Sequence, residues 1–139
     1  HSVDTAIHFA GSVVVPESVT VPINYYRNNA CCLLAIFEAC VLARMRHVIF
    51  SSTAAVYGTS TKSPVTEGAP KLSINPYGRS KLMTEWMLED AALAGYLDYV
   101  ALRYFNVVGA DAQGRVGQST PNATHLIKRA CRVATGRVP

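Results

Sequence analysis

Two apolar rhythms alternate along this chain. Short, mostly apolar runs at Thr5-Ala6-Ile7-His8-Phe9-Ala10, Val48-Ile49-Phe50 and Tyr99-Val100-Ala101-Leu102 read as buried strands of a parallel sheet, the first stopped by Gly11. Between the first two, Ile23, Tyr26, Ala30, Leu33, Leu34, Phe37 and Val41 recur at helical spacing, which predicts a helix of about six turns over 22–43. A second helix is predicted through 82–94, with Asn75 as its cap and Pro76 in its first turn. The stretch 58–75, rich in Thr, Ser, Pro and Gly, and the stretch 104–121 read as loops, and a last helix is expected over about 122–134.

Strand and helix alternate with no internal repeat or linker. That order implies right-handed crossovers in one parallel sheet covered on both faces, an α/β fold of the doubly wound class. Ligands of such sheets sit at the carboxyl ends of the strands, so the loops 11–15, 51–58 and 104–109 are expected to converge on one cleft.

Composition narrows the possibilities. With 139 residues, 50% hydrophobic and 16% charged, the chain suits one modest globular domain. No stretch is long and apolar enough to span a membrane and no secretory pattern opens the chain, so a soluble protein with no membrane partner is expected. The net charge of +4 comes from 13 basic residues spread over several elements, without the basic and aromatic stripe of a nucleic-acid binder. Its 4 cysteines (Cys31, Cys32, Cys40, Cys131) show no C-x-x-C spacing; reduced, buried thiols and a cytoplasmic setting are expected, with no metal site. A sequon at Asn122-Ala123-Thr124 is read as coincidence. An apolar strand only a few residues in, with no Met before it, gives the expectation of an internal piece of a longer chain.

Candidate chemistry centres on Asn75-Pro76-Tyr77-Gly78-Arg79-Ser80-Lys81. The four-residue step puts the Tyr77 phenol and the Lys81 ammonium on one helix face. Alone the spacing is weak: with 7 tyrosines it arises by chance in roughly one chain in five of this composition. Bringing a phenol from about 10 to about 7 requires roughly 4 kcal/mol in favour of the phenolate, whereas one exposed pair gives about 0.3–0.5 kcal/mol. A working Tyr77 therefore needs a closed site and a second positive charge. A hydroxyl at Thr53, past the end of the second strand, could complete a relay that takes a proton from an alcohol as hydride leaves the same carbon.

Six motifs in order carry a resemblance: His8-Phe9-Ala10-Gly11, Glu17-Ser18-Val19, Tyr25-Tyr26-Arg27-Asn28-Asn29, Phe50-Ser51-Ser52-Thr53-Ala54-Ala55-Val56-Tyr57-Gly58, Pro76-Tyr77-Gly78 with Ser80-Lys81-Leu82, and Leu102-Arg103-Tyr104-Phe105-Asn106 with Gly109-Ala110. Over nearly its whole length the chain resembles the extended short-chain dehydrogenase/reductases, and within them the UDP-glucose 4-epimerases. The resemblance implies a partial Rossmann-type NAD-binding domain over 1–139, lacking the first βαβ units and most of the carboxyl-terminal substrate domain, with the start of the substrate-binding part from about 107. It implies interconversion of UDP-galactose and UDP-glucose through a transient 4-keto sugar with tightly bound NAD, by a homodimer. Thr53, Tyr77 and Lys81 take its catalytic roles: Tyr77 as base, Lys81 on the nicotinamide ribose and lowering the Tyr77 pKa, Thr53 bonding the sugar O4. Phe9, Ala10, Gly11, Asn28, Ser51, Ser52, Tyr77, Lys81 and Tyr104 match cofactor-contacting positions. Thr53, Tyr77, Phe105, Asn106 and Asn122 match the UDP-sugar side. Val13 stands where many members carry Lys, and Cys31-Cys32-Leu33 replaces a stretch usually small and polar.

Rival readings differ at named positions. Nucleotide-sugar dehydratases carry an acidic residue just after the active hydroxyl, where this chain has Ala54 and Ala55, which transfer no proton. UDP-glucuronate epimerases tend toward Arg-Phe-Phe-Thr in place of Arg103-Tyr104-Phe105-Asn106. A non-catalytic nucleotide-sensing relative would keep the fold and lose the catalytic pair.

Overall fold

The computed structural model describes residues 3–60, 63–119 and 126–137. Two compact units divide the chain, His1–Tyr104 and Phe105–Pro139. In the first, strands β1 (Thr5–His8), β2 (His47–Ser51) and β3 (Asp98–Leu102) form a parallel sheet in the order β1-β2-β3. Register runs Ile7 to Ile49 to Val100 and His8 to Phe50 to Ala101. The predicted strand 5–10 ends at His8 because β2's next residue, Ser51, pairs only with Leu102 of β3.

Each parallel pair is joined by a crossover containing helices: α1 (Val15–Thr20), α2 (Pro22–Tyr26) and α3 (Cys32–Leu42) between β1 and β2, then α4 (Pro76–Leu93) between β2 and β3. Residues alternating toward the helices, Val48 and Phe50, close a core with Leu33 and Phe37 of α3, Leu88 of α4, and Leu97. Each fully buried Leu or Phe of this kind contributes about 1.5–3 kcal/mol. The core therefore fixes the sheet, α3 and α4 as one block. The alternate residues Ile7, Val100 and Leu102 are exposed on the other face, which a doubly wound sheet covers with crossovers from beyond its switch point.

Two local departures from the predicted elements have physical causes. The helix over 22–43 is interrupted by a π-helical turn at Arg27–Cys31. There the buried Asn29 takes its bonds from other elements, its backbone carbonyl accepting from Thr84 Oγ1 of α4 at 3.0 Å. Helix α1 has too few residues to show a period; it stops at Val21, since the residue before Pro22 is disfavoured in helical conformation.

In the second unit, Ala110 and Gly117 form an antiparallel bridge around a turn held by Arg115 on Asp111, and α5 (Leu126–Ala134) follows. The ion pair and turn amides hold the Asp111 carboxyl down at about 2. The predicted helix over 122–134 is observed from Leu126, and its first four positions lie outside the described residues.

Candidate active site

The site begins at the end of β2, where Ser51, Ser52 and Thr53 are all buried. Thr53 is extended and caps a 3-10 turn, Ala54–Tyr57, its Oγ1 accepting from the Ala55 amide at 3.1 Å. With its oxygen accepting there, the hydroxyl still has its own proton to give, and Thr53 acts on the Tyr77 phenol by lowering its pKa.

Helix α4 brings the phenol to that hydroxyl. Asn75 Oδ1 accepts from the Gly78 amide at 2.8 Å and Pro76 occupies the first turn, so the start of the helix is fixed beside Tyr77. The helix can come so close to the 3-10 turn only because residue 78 is glycine: a Cβ there would meet Ala55 O at 2.7 Å. Tyr25, buried in α2, abuts the Tyr77 ring edge-to-face at 6.5 Å between centroids. Its own hydroxyl is held by the Val14 amide and carbonyl and by Glu17, and burial with the Glu17 bond pushes its pKa up to about 12.

Lys81, one turn after Tyr77, is 2% exposed. Its Nζ donates to the Ser51 carbonyl at 2.9 Å and lies 4.9 Å from the centre of the Phe50 ring. Burial pushes its pKa down to about 8. Burial also raises the Tyr77 pKa, against the Thr53 hydrogen bond, which lowers it, and Tyr104, which raises it further. Within the chain itself the Lys81 ammonium points to the Ser51 carbonyl, and burial dominates the Tyr77 pKa.

Other sequence-predicted residues gather at the same end of the sheet. The Tyr104 hydroxyl bonds Ser51 Oγ, and its carbonyl accepts from the Ala54 amide at 3.1 Å. Gly11 has a φ of +145°, and a Cβ on it would lie 3.0 Å from Asn29 Oδ1 and 3.5 Å from Lys81 Nζ. Phe9 and Ala10 precede it as exposed residues, and Asn28 Nδ2 donates to Ser12 Oγ at 2.9 Å. Ser52 Oγ points instead to Glu85 on α4. Phe105 and Asn106 belong to the second unit, where Asn106 lines a groove of about 650 Å³ with Val107, Val108 and Lys128. Asn122 lies outside the described residues.

Sequence reasoning assigned no role to Asn29, which is 3% exposed. Its Oδ1 accepts from the Ser12 amide at 2.8 Å, and its Nδ2 donates to the Ser12 carbonyl at 2.9 Å and to Ser80 Oγ at 3.1 Å. This side chain ties the Gly11 loop to α4. Among the described residues no cluster of three or more His, Cys, Asp or Glu is placed to hold a metal, and no helix is long and apolar enough to cross a membrane. All four cysteines are unpaired; only Cys40 is buried, and Cys31, Cys32 and Cys131 are exposed, against the expectation of buried thiols.

The family model described as "NAD dependent epimerase/dehydratase family" matches residues 1–137. A UDP-glucose 4-epimerase of Azospirillum brasilense is 59% identical over 139 residues, covering 100% of this chain and 40% of that protein. One from Halalkalibacterium halodurans is 42% identical over 137 residues, covering 99% of this chain and 41% of its own length. Among solved structures, UDP-glucose 4-epimerase from Brucella ovis in complex with NAD superposes with a TM-score of 0.91 at 50% identity, over 97% of this chain and 42% of that one. The Bifidobacterium longum enzyme in complex with NAD+ and UDP gives 0.90 at 40% identity, over 99% of this chain and 42% of that one. The chain thus spans about two fifths of the length of the relatives it matches.

Proposed function

Because the chain belongs to the NAD dependent epimerase/dehydratase family, we propose that it forms the catalytic part of a UDP-glucose 4-epimerase, an isomerase that interconverts UDP-galactose and UDP-glucose through a transient 4-keto sugar with tightly bound NAD. One observation carries the reading: the buried Lys81 Nζ donates to the Ser51 carbonyl at the carboxyl end of β2, beside the buried Thr53, and Tyr77, whose pKa Thr53 lowers, lies one turn earlier on the same helix.

The residues fit a dinucleotide. At Gly11 a Cβ would fill the space beside Lys81 Nζ and Asn29 Oδ1, so the backbone there stays open to a close ligand approach. Phe9, Ala10, Gly11, Asn28, Ser51, Ser52, Tyr77, Lys81 and Tyr104 would hold NAD. When bound, NAD supplies a reversible hydride acceptor for the sugar C4 and, oxidised, a positive charge beside the phenol.

The chain's own work is proton transfer and orientation. The Tyr77 oxygen takes the proton from the sugar O4 hydroxyl and returns it when the C4 centre is reduced from its other face. Thr53, beside Tyr77, would turn its one hydroxyl proton to the sugar O4, stabilising charge as it develops there. Lys81, anchored by the Ser51 carbonyl, presents its remaining protons to the ribose of the cofactor. Ala54 and Ala55 beside Thr53 offer no further acid or base, which favours epimerisation over elimination of water.

Residues 1–139 are assigned to a partial NAD-binding domain, with the start of the substrate-binding part from about 107; Phe105, Asn106 and Asn122 would contact the UDP-sugar. The full-length protein is further assigned as a homodimer. The unpaired cysteines support a cytoplasmic setting. Conversion of UDP-galactose to UDP-glucose, assayed in a polypeptide of the relatives' full length that carries this chain, tests the reading. No turnover with NAD bound would overturn it.

A further inference from the structure

Eight residues beyond Tyr77 on α4, Glu85 is 2% exposed and carries a carboxylate into the interior. Arg103, just past β3, meets it with a two-pronged contact: Nε donates to Oε1 at 2.9 Å and to Oε2 at 3.1 Å, and Nη2 to Oε2 at 2.7 Å. The pair then reaches outward on both sides of Thr53. Ser52 Oγ donates to Glu85 Oε1. Arg103 Nη1 donates to the Tyr57 hydroxyl at 2.8 Å and to the Glu67 carbonyl at 3.3 Å, and the guanidinium lies 5.3 Å from the centre of the Tyr57 ring. Lys71 Nζ stands 4.0 Å from Glu85 Oε2 at the rim.

Stability alone does not account for such a pair, because desolvating two charges costs as much as their attraction returns and a well-packed apolar pair would serve as well. What the pair has and an apolar contact lacks is direction: the guanidinium is a rigid planar fork matched to the carboxylate. Thr53 sits between the two residues so held, Ser52 before it and Tyr57 after it. With both flanks held by the Glu85 and Arg103 pair, Thr53 keeps its place, its Oγ1 accepting from the Ala55 amide.

We propose that Glu85 and Arg103 are positioning residues for the reaction, a buried clamp that holds the 52–57 segment against α4 and so fixes Thr53 at the start of α4, the helix that carries Tyr77. The proposal rests on the epimerase reading for its kinetic consequence but not for its structural one.

Two variants test it, in a polypeptide of the relatives' full length. Arg103→Lys keeps the charge and loses the fork; it is expected to lower kcat for UDP-galactose by about tenfold or more, since small misplacements of reacting groups are costly. Its KM should stay within about twofold, because ground-state sugar binding is untouched. Amide hydrogen exchange should accelerate over 52–58 and stay unchanged within β2. Tyr57→Phe removes only the outer anchor and is expected to act in the same directions, by about threefold in kcat, and it decides the matter where Arg103→Lys does not fold. Wild-type kcat and wild-type exchange over 52–58 in Tyr57→Phe and in folded Arg103→Lys would overturn the proposal. So would exchange that rises evenly through β2 and α4, the mark of a merely structural pair. If the parent polypeptide turns over no UDP-sugar, the epimerase reading fails and the exchange pattern alone decides the clamp.

Discussion

A Cβ placed on Gly78 would lie 2.7 Å from the carbonyl oxygen of Ala55. That distance means that α4 touches the 3-10 turn backbone to backbone, next to the two hydroxyls of the site. Ser73 Oγ, which the Cβ would also meet, could swing aside, but the Ala55 carbonyl is held in its turn and cannot.

Gly78→Ala is therefore expected to destabilise the fold by about 1–3 kcal/mol, the usual cost of overpacking, and to part Thr53 from Tyr77. Urea midpoints and kcat measured on the same preparation check this. A variant with parental midpoint and parental kcat would contradict the close approach.

Lys81 makes stability depend on pH. Its pKa falls from 10.5 to about 8 on folding, so between those values the folded chain binds fewer protons than the unfolded one. Stability contributed by this group therefore rises with pH through the window and the burial penalty is full below about 8, a span of about 3 kcal/mol at 1.36 kcal/mol per unit. The Cys40 thiol, raised by burial above its ordinary 9.0, works in the opposite direction at the upper end. The difference between the parent and Lys81→Met isolates the lysine: urea midpoints from pH 7.5 to 10 should climb more steeply in the parent. Parallel curves would show that the ammonium is not buried.

Asn29→Ala removes three hydrogen bonds that join Ser12 to Ser80. Leaving such groups unpaired costs about 1–3 kcal/mol. Because the Gly11 loop is the part released, the expected effect falls on cofactor retention: less NAD should remain after gel filtration than in the parent, with the UDP affinity unchanged. Equal NAD content would show that the loop is held by other means.

How much of this could be read from the chain follows from how local each signal is. The start of α4 was legible because Asn75 and Pro76 act within one turn of it, and the strands because their apolar runs are short and bounded. Thr53, Tyr77 and Lys81 were legible through motifs that fall in order along the chain. Asn29 was not, since its partners lie 17 and 51 residues away, and no spacing rule links it to Ser12 or Ser80. The Glu85 and Arg103 clamp was hidden for the same reason, its two members being 18 residues apart on different elements. The π-helical turn left no mark because one widened turn hardly disturbs a period of 3.6.

In the proposed mechanism Tyr77 moves the proton while Thr53 assists it, and kcat for UDP-galactose to UDP-glucose conversion in Tyr77→Phe, Thr53→Val and Thr53→Ser tests both roles. Loss of the phenol removes the base without changing the pocket's outline, so Tyr77→Phe should lower kcat by about 10²–10⁴. Thr53→Val gives up one hydrogen bond worth roughly 0.5–1.5 kcal/mol and should lower kcat by about two- to tenfold, whereas Thr53→Ser keeps the hydroxyl and should match the parent. That order is the predicted result; a Tyr77→Phe variant with parental kcat, or a Thr53→Val loss larger than that of Tyr77→Phe, would contradict the account.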